Sequence, residues 1–228
     1  MPGTLHSDPT RYRQIVGALQ YLIFARPDIC YAVNKVCQFM HAPTGDHWAA
    51  VKRILRYPQA TATYGLHITR DSLLTLHGFI DADWAGKSTG GYLVYLGSTP
   101  ISWKSRKQRT VARSSTKAEY KALADGTVEI LWIRSLLAEL WISTSSMTML
   151  WCDNLGATFL SANPVFHART KHVEVDYHFV RDRVAKREIQ VRFISSKDQL
   201  ADVLTKPLPP VSFAYFRSKL RVESPPSA

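Results

Sequence analysis

The spacing of apolar residues changes part-way along the chain, and this change limits the fold more than any other feature of the sequence. Alternating stretches at residues 74–81, 92–96 and 100–103 predict three consecutive β-strands. Residues 114–140 then show the spacing of one long helix. Helices and strands alternate after it, with helices predicted at 155–161, 171–186 and 199–206 and strands at 147–152 and 189–194. This order predicts an α/β sheet with an antiparallel edge.

The residues before this region show helical spacing. Predicted helices cover residues 11–24, 29–40 and 47–56, the third ending before Pro58. Asp28 is the predicted N-cap of the second helix. A short extended stretch at 64–68 follows, and we expect a domain boundary near residue 70. The predicted divisions are a helical segment at 1–70, an α/β domain at 71–222 and a frayed Pro/Ser-rich tail at 223–228.

Several protein classes are excluded by composition. The 228 residues are 46% hydrophobic, which is enough for a folded core and too much for a disordered chain. No apolar run approaches the roughly 20 residues that span a bilayer, and the first residues do not resemble a secretory signal. The three cysteines show no CxxC spacing, which favours a reducing, intracellular compartment.

The positive charge of the chain points toward a polyanionic partner. The net charge is +11, and seven Lys and Arg residues lie between Ser102 and Lys121 with one acid, Glu119. Trp103 and several hydroxyl residues alternate with these charges, as in surfaces that contact phosphates and stack on bases. A solvated basic face is the alternative interpretation.

Four acidic residues lie at predicted strand ends and helix starts: Asp81, Glu119, Asp153 and Asp202. Open α/β sheets gather their sites beyond the strand ends, so these side chains are expected to converge. Converging carboxylates repel one another unless cations lie between them, and oxygen ligands suit Mg²⁺ or Mn²⁺. Two such ions can act on a phosphodiester. Taken singly, Asp153 could instead cap a helix and Asp202 could lie on a helix surface.

Nine segments carry a resemblance to a known family. In the later part of the chain they are FIDADWAG (79–86), STGGY (88–92), ISWKSRKQ (101–108), ARSSTKAEYKAL (112–123), LWCDN (150–154), RTKHVEVDYHF (169–179) and DQLADVLTK (198–206). These are similar to the ribonuclease H region of copia-type LTR retrotransposon Pol polyproteins. YRQIVGALQY (12–21) and RPDICYAV (26–33) resemble the segment that connects that family's polymerase to its nuclease.

The resemblance implies a ribonuclease H-like fold, a mixed five-stranded sheet with flanking helices, after a small helical segment. It also implies hydrolysis of the RNA strand of RNA–DNA hybrids with two Mg²⁺ ions, Mn²⁺ being an alternative ion. By motif, the ligands would be Asp81, Glu119, Asp153 and Asp202. Asp83 remains an alternative to Asp81, and Asp198 remains an alternative to Asp202.

The expected nucleic-acid contacts are Trp103, Lys104, Arg106, Lys107, Arg109, Arg113, Ser115 and Asn154. His172 is a candidate auxiliary residue, with His178 as a second, although a surface or core role is the alternative for both. The chain has no Tyr-x-Asp-Asp motif, so we expect no polymerase activity and a polymerase domain supplied by another chain. No membrane partner is expected, and the location would be the cytoplasm or the nucleus.

Several departures from the family pattern together indicate a drifting copy, among them Lys117, where relatives carry an acid, and Pro58 in the third predicted helix. The connection between Gly86 and Ser88 is short, and Trp141 stands where a glycine is expected to end the long helix. The alternative function is therefore a non-catalytic, nucleic-acid-binding remnant of a decayed retrotransposon. An unstable relic without activity is a further alternative.

Overall fold

The computed structural model describes residues 7–69, 73–84, 88–144, 147–163 and 174–225. These residues form two compact units, the first drawn from Met1–Ile68 and Pro207–Ala228 and the second from Thr69–Lys206. Each unit has its own apolar core. The elements in chain order are α1 (Pro9–Leu22), α2 (Cys30–Cys37), α3 (Gly45–Ala60), β1 (Gly65–Leu66), β2 (Leu76–Asp83), β3 (Thr89–Leu96), β4 (Thr99–Lys107), α4 (Ser115–Glu139), β5 (Thr148–Cys152), α5 (Leu155–Ala162), α6 (Glu174–Ala185), β6 (Ile189–Phe193), α7 (Asp202–Thr205), α8 (Pro210–Lys219) and β7 (Val222–Glu223).

A mixed five-stranded sheet with the order β4-β3-β2-β5-β6 forms the centre of the second unit. The neighbours β2, β3 and β4 are antiparallel, whereas β5 runs parallel to both β2 and β6. A tight turn with Gly97 at a φ of 62° joins β3 to β4. The parallel pairs need longer crossovers, which contain α4 in one case and α5 and α6 in the other. The predicted α/β fold class is confirmed.

Helix α4 packs against β2 and β3 at very short range. A Cβ atom at Gly126 would lie 2.7 Å from Cδ1 of Ile80, so this position accepts no side chain without displacement. Leu123 and Ile130 are fully buried in the same interface. The close packing fixes the position of α4 relative to β2.

Within the described segments, no helix is both long and apolar enough to cross a bilayer.

The short helix α7 approaches β3 just as closely. A Cβ atom at Gly91 would lie 2.9 Å from Cγ2 of Thr205 and 3.0 Å from Cβ of Leu204. Because Gly91 pairs with Asp81 across the β2–β3 ladder, this contact brings α7 beside the end of β2. The predicted helix at residues 199–206 is reduced to four residues, and Gln199 instead donates a hydrogen bond of 2.9 Å to the carbonyl of Ile80.

In the first unit, Asp28 does not cap a helix, contrary to the sequence prediction. A 3₁₀ turn at Pro27–Ile29 precedes α2, and the buried Asp28 carboxylate accepts hydrogen bonds from Arg26 and from the hydroxyl of Tyr57. Arg26 also donates to the carbonyl and hydroxyl of Thr61. The carboxylate of Asp28 therefore belongs to a buried ion pair in which each partner has further hydrogen bonds, and it does not cap α2.

The predicted end of the third helix before Pro58 is also wrong. Helix α3 continues to Ala60 with Pro58 inside its last turn. After the proline, the amide and hydroxyl of Thr61 both donate to the carbonyl of Tyr57. These bonds satisfy carbonyl groups in a turn that a proline would otherwise weaken.

The end of the chain differs from the predicted division at 71–222 and 223–228. The described residues after Lys206 belong to the first unit. Val222 and Glu223 form β7, which pairs with Leu66 and Gly65 of β1, so the predicted tail begins inside a strand. Pairing between two-residue strands that are distant in the sequence gives almost no periodic signal, so it was not predicted. The last three residues of the predicted tail, 226–228, lie outside the described part.

Helix α4 ends in a Schellman motif that has tryptophan at the left-handed position. The amide of Trp141 donates to Ala138 and the amide of Ile142 donates to Leu137, both at close to 3 Å. Trp141 has a φ of 61° and is 95% exposed. Leu140, the last residue of the predicted long helix, is exposed as well.

Replacing Trp141 with glycine is expected to stabilise the protein by about 1 kcal/mol, because glycine adopts this backbone conformation without steric cost. Urea unfolding measures the change. Trp132→Gly is the matched control, since Trp132 is exposed inside α4 and glycine there should destabilise by about 1 kcal/mol. A less stable Trp141→Gly protein would contradict this account of the helix end.

Candidate active site

Three carboxylates from three separate elements converge at one end of the sheet. Asp81 lies on β2, Glu119 on the first half of α4, and Asp153 directly after β5. One ligand atom from each lies within 4.8 Å of the other two. The parallel pairing of Ile80 with Cys152 brings two of the three together, because the residue that follows each of these partners is an aspartate.

Burial makes this cluster electrostatically costly. Asp81 is 2% exposed and Glu119 is 5% exposed. Burial raises the pKa of Asp81, against the opposing effects of Lys206 and Thr205. Burial also raises the pKa of Glu119 to about 9, and the charges of Asp81 and Asp153 add to this effect. At neutral pH the group therefore holds either a proton or a cation.

Asp202 approaches the cluster from α7 together with a lysine. Nζ of Lys206 lies 2.9 Å from Oδ1 of Asp202 and 3.8 Å from Oδ2 of Asp81. The hydroxyl of Thr205 donates a hydrogen bond to the same Oδ2 of Asp81. Burial, and next the charge of Asp81, raises the pKa of Asp202 to about 7.

The two acids that the sequence left as alternative ligands, Asp83 and Asp198, lie outside the three-carboxylate group. Asp83 is at the end of β2, partly exposed, and is not a member of the three-carboxylate group. Asp198 is exposed, and its amide donates to the carbonyl of Ser195. Asp81 and Asp202 are therefore the members of the two pairs that lie in the buried site.

The sequence analysis missed several residues that contact the carboxylates. Besides Thr205 and Lys206, the hydroxyl of Ser196 donates to Oδ2 of Asp153 at 2.8 Å. The buried Sγ of Cys152 lies 3.9 Å from Oε2 of Glu119. Only Lys206 had a usable signal, because it follows Asp202 by four residues, the spacing at which helical side chains meet.

The donor set fits a hard divalent cation. All three converging ligands are carboxylate oxygens, which are the ligands that Mg²⁺ and Mn²⁺ prefer. Two of them are buried, so an ion would replace a proton that burial otherwise favours. Asp81, Glu119 and Asp153 are the residues that could hold an ion, and Lys206 joins Asp202 to Asp81.

The predicted basic segment does not form one surface. Along β4, Lys104 and Arg106 point toward α4, since they pair with Tyr92 and Gly90, whose faces contact that helix. The alternation of the strand puts Trp103 and Lys107 on the opposite face. Arg109, Arg113 and Ser115 are exposed beyond the strand. Asn154 uses its side-chain oxygen to cap α5 by accepting from the amide of Ala157.

A basic groove adjoins the start of α4. It encloses about 340 Å³ and is lined by Gln108, Thr110, Val111, Ala112, Arg113, Lys117 and Lys121. Nζ of Lys121 lies 2.9 Å from the hydroxyl of Thr110. The buried Gln108 donates to the carbonyl of Ala118, and its side-chain oxygen has no protein partner among the described residues. His172 lies outside the described residues, and His178 is exposed.

Comparison with known proteins identifies the family. No family profile matches the chain. The retrovirus-related Pol polyprotein from transposon RE2 of Arabidopsis thaliana is 53% identical over 231 residues, which cover 99% of this chain and 16% of that protein. The corresponding polyprotein from transposon TNT 1-94 of Nicotiana tabacum is 40% identical over 204 residues, covering 87% and 15%. This chain belongs to the copia-type Pol polyproteins of retrotransposons.

The copia-type chain spans only a small part of these relatives, 16% of the first and 15% of the second. Among solved structures, the N-terminal RNase H domain of rv2228c from Mycobacterium tuberculosis is similar with a TM-score of 0.44 and 14% identity. That similarity covers 64% of this chain and 97% of the solved one. The resemblance stated from the sequence motifs is confirmed by the polyprotein relatives.

The metal-free protein is expected to lose stability as the pH rises. Because the pKa of Glu119 is about 9 in the fold, above its ordinary value, the stabilising proton is fully bound in acid and is lost as the pH approaches 9. Urea unfolding in EDTA should give a free energy lower by more than about 1 kcal/mol at about pH 8.5 than at about pH 5.5.

Glu119→Gln removes this carboxyl group and should flatten the pH dependence of the unfolding free energy. Glu139→Gln changes an exposed residue of the same helix and should leave that pH dependence as in the parent. Equal pH dependence of stability in the parent and in Glu119→Gln would contradict the claim that the buried Glu119 carboxyl group causes it.

Proposed function

We propose that this chain hydrolyses the RNA strand of RNA–DNA hybrids, with two divalent cations held by Asp81, Glu119, Asp153 and Asp202. The observation that carries the proposal is the convergence of Asp81, Glu119 and Asp153 from three elements that are distant in sequence. Structural needs do not explain a buried carboxylate group that repels itself, whereas a cation-dependent phosphodiester hydrolase requires one. Membership in the Pol polyproteins agrees with a nucleic-acid substrate.

Each residue of the site has a separate task in this proposal. Bound divalent ions supply charge stabilisation at the phosphate and lower the pKa of a water molecule. Asp81 serves both ions in this proposal, one held with Glu119 and Asp153 (the first half) and the other held with Asp202 (the second half). Glu119 and Asp153 complete the first half, with Ser196 fixing one oxygen of Asp153. Asp202 completes the second half. Burial of Asp81 and Glu119 keeps bulk water away from the ligand oxygens.

Cleavage of a labelled RNA–DNA hybrid in Mg²⁺ tests the proposal. Asp81→Asn should reduce the rate by at least about 10³-fold, because it removes the carboxylate shared by both halves. Asp182→Asn, which removes an exposed carboxylate that pairs with Lys186, should cleave like the parent. EDTA should abolish cleavage by the parent.

Two outcomes would overturn the proposal. Equal cleavage by the parent and Asp81→Asn would place the chemistry elsewhere. Binding of the hybrid without cleavage by either protein would instead support the non-catalytic remnant. Duplex DNA serves as the substrate control, since discrimination for RNA depends on contacts to 2′-hydroxyl groups.

The basic groove is the proposed contact for a backbone phosphate. Arg113, Lys117 and Lys121 supply the positive charge that such a contact needs. Such a contact orients the hybrid without reading its sequence. A polymerase domain, supplied by another chain or by the remainder of a polyprotein, is the proposed protein partner.

Replacing Arg113 with glutamine is expected to weaken hybrid binding and to reduce the slope of log K against log salt by about 0.9, the value for one lost phosphate contact. Fluorescence anisotropy at several salt concentrations measures both quantities. Arg187→Gln, an exposed change in the turn after α6, should leave the slope as in the parent. An unchanged slope for Arg113→Gln would exclude the groove as a phosphate contact.

A further inference from the structure

Lys206 occupies an unusual position for a lysine in an acidic site. It is the residue after α7, and its ammonium lies within ion-pair distance of both Asp202 and Asp81. The side chain of Lys206 is 32% exposed, whereas those of Asp81 and Asp202 are 2% and 9% exposed. A cation that solvent can reach therefore neutralises two carboxylates that solvent barely reaches.

This arrangement divides the site into two halves that share Asp81. One half is the group of Asp81, Glu119 and Asp153, whose ligand atoms lie within 4.8 Å of one another. The other half is Asp81 with Asp202, and here an ammonium group already contacts both carboxylates. In the first half the ammonium contacts only Asp81, whereas in the second half it contacts both carboxylates.

The pair of Lys186 and Asp182 shows that the contact of Lys206 is more than a helix-surface ion pair. Both pairs have a spacing of four residues, and their N–O distances are 2.8 Å and 2.9 Å. Lys186 and Asp182 are about half exposed, and such pairs contribute little. Lys206 has a second acidic partner, and removing its charge would leave two buried carboxylates without compensation.

We propose that Lys206 is a positioning residue that holds the place of the second divalent ion. It neutralises Asp81 and Asp202 in the metal-free protein and moves aside when an ion binds between them. This inference rests on the proposed cation site of the hydrolase. The first ion then binds at Asp81, Glu119 and Asp153, of which only Asp81 contacts the ammonium, and the second binds more weakly because it competes with the ammonium for both of its carboxylates.

Lysine is suited to this exchange. Its charge is carried on a flexible four-carbon stem, so the ammonium can leave the carboxylates without movement of the backbone. The exposed part of the Lys206 side chain gives it a path toward solvent. The amide of Lys206 donates to the carbonyl of Asp202, which keeps the two residues together in either state.

Calorimetric titration with Mn²⁺ alone, without nucleic acid, tests the inference. The parent should show two binding events, the second weaker than the first. Lys206→Met keeps an unbranched side chain one atom shorter and removes the charge, and it should tighten the second event by at least about tenfold. Lys206→Arg keeps the charge and should bind like the parent. Lys186→Met, the matched break of an exposed pair, should also bind like the parent.

Unfolding in EDTA provides a second readout. Lys206→Met should be less stable than the parent in EDTA and should regain that difference when Mn²⁺ is added. A purely structural ion pair would lower the stability of Lys206→Met equally with and without Mn²⁺ and would leave the isotherm unchanged. That result would overturn the inference.

The failures of the two proposals can be distinguished. If the parent binds no Mn²⁺, the proposed cation site fails and this inference fails with it. If the parent binds Mn²⁺ and Lys206→Met gives the same isotherm, only the role of Lys206 is overturned. The double variant Asp202→Asn with Lys206→Met removes one acid of the second half together with the lysine, and it should bind one Mn²⁺. Two bound ions in that variant would also overturn the inference.

Discussion

Repulsion among the carboxylates that meet where β2, β5 and α4 converge is the constraint on which the second unit depends. Asp81 and Glu119 are almost inaccessible to solvent, and their ligand atoms lie close to one of Asp153. Water cannot screen such charges, so each must be balanced by a proton, a lysine or an ion. The raised pKa of Glu119 and the contacts of Lys206 with Asp81 and Asp202 are two responses to this repulsion. A divalent cation would be the third.

The scaffold around these groups is what makes the repulsion unavoidable. Parallel pairing of β2 with β5 fixes the two aspartates at one edge of the sheet. The missing side chains at Gly126 and Gly91 let α4 and α7 approach the sheet from the two sides on which Glu119 and Asp202 are carried. The packing of an apolar core thus supplies the free energy that holds like charges together, as expected for a functional site rather than a structural one.

The sequence predicted the parts of this arrangement that depend on local periodicity. The alternating strands, the long helix and the positions of Asp81, Glu119 and Asp153 at element ends follow from patterns of a few residues. The fold class and the family resemblance are confirmed, whereas the roles of the site residues remain proposals. Trp141 marked a departure from the expected glycine, and the structure shows it at a positive φ in an otherwise regular helix end.

What the sequence did not predict depends on contacts between distant residues. Asp28 resembles a helix cap until Tyr57, far along the chain, is seen to donate to it. The pairing of β1 with β7 joins residues of the first unit that lie before and after the whole second unit in the sequence. The pairing of Lys206 with Asp202 has a local signal, but its contact with Asp81 requires the fold. Long-range electrostatic partners are therefore the part of the site that a single sequence leaves open.

The most direct measurement of the central claim is a crystal structure of the protein grown with Mn²⁺, with the ion located by its anomalous scattering. The account predicts an anomalous peak within coordination distance of the carboxylates of Asp81, Glu119 and Asp153. A site that stays without anomalous density at saturating Mn²⁺, with these carboxylates turned away from one another, would contradict it.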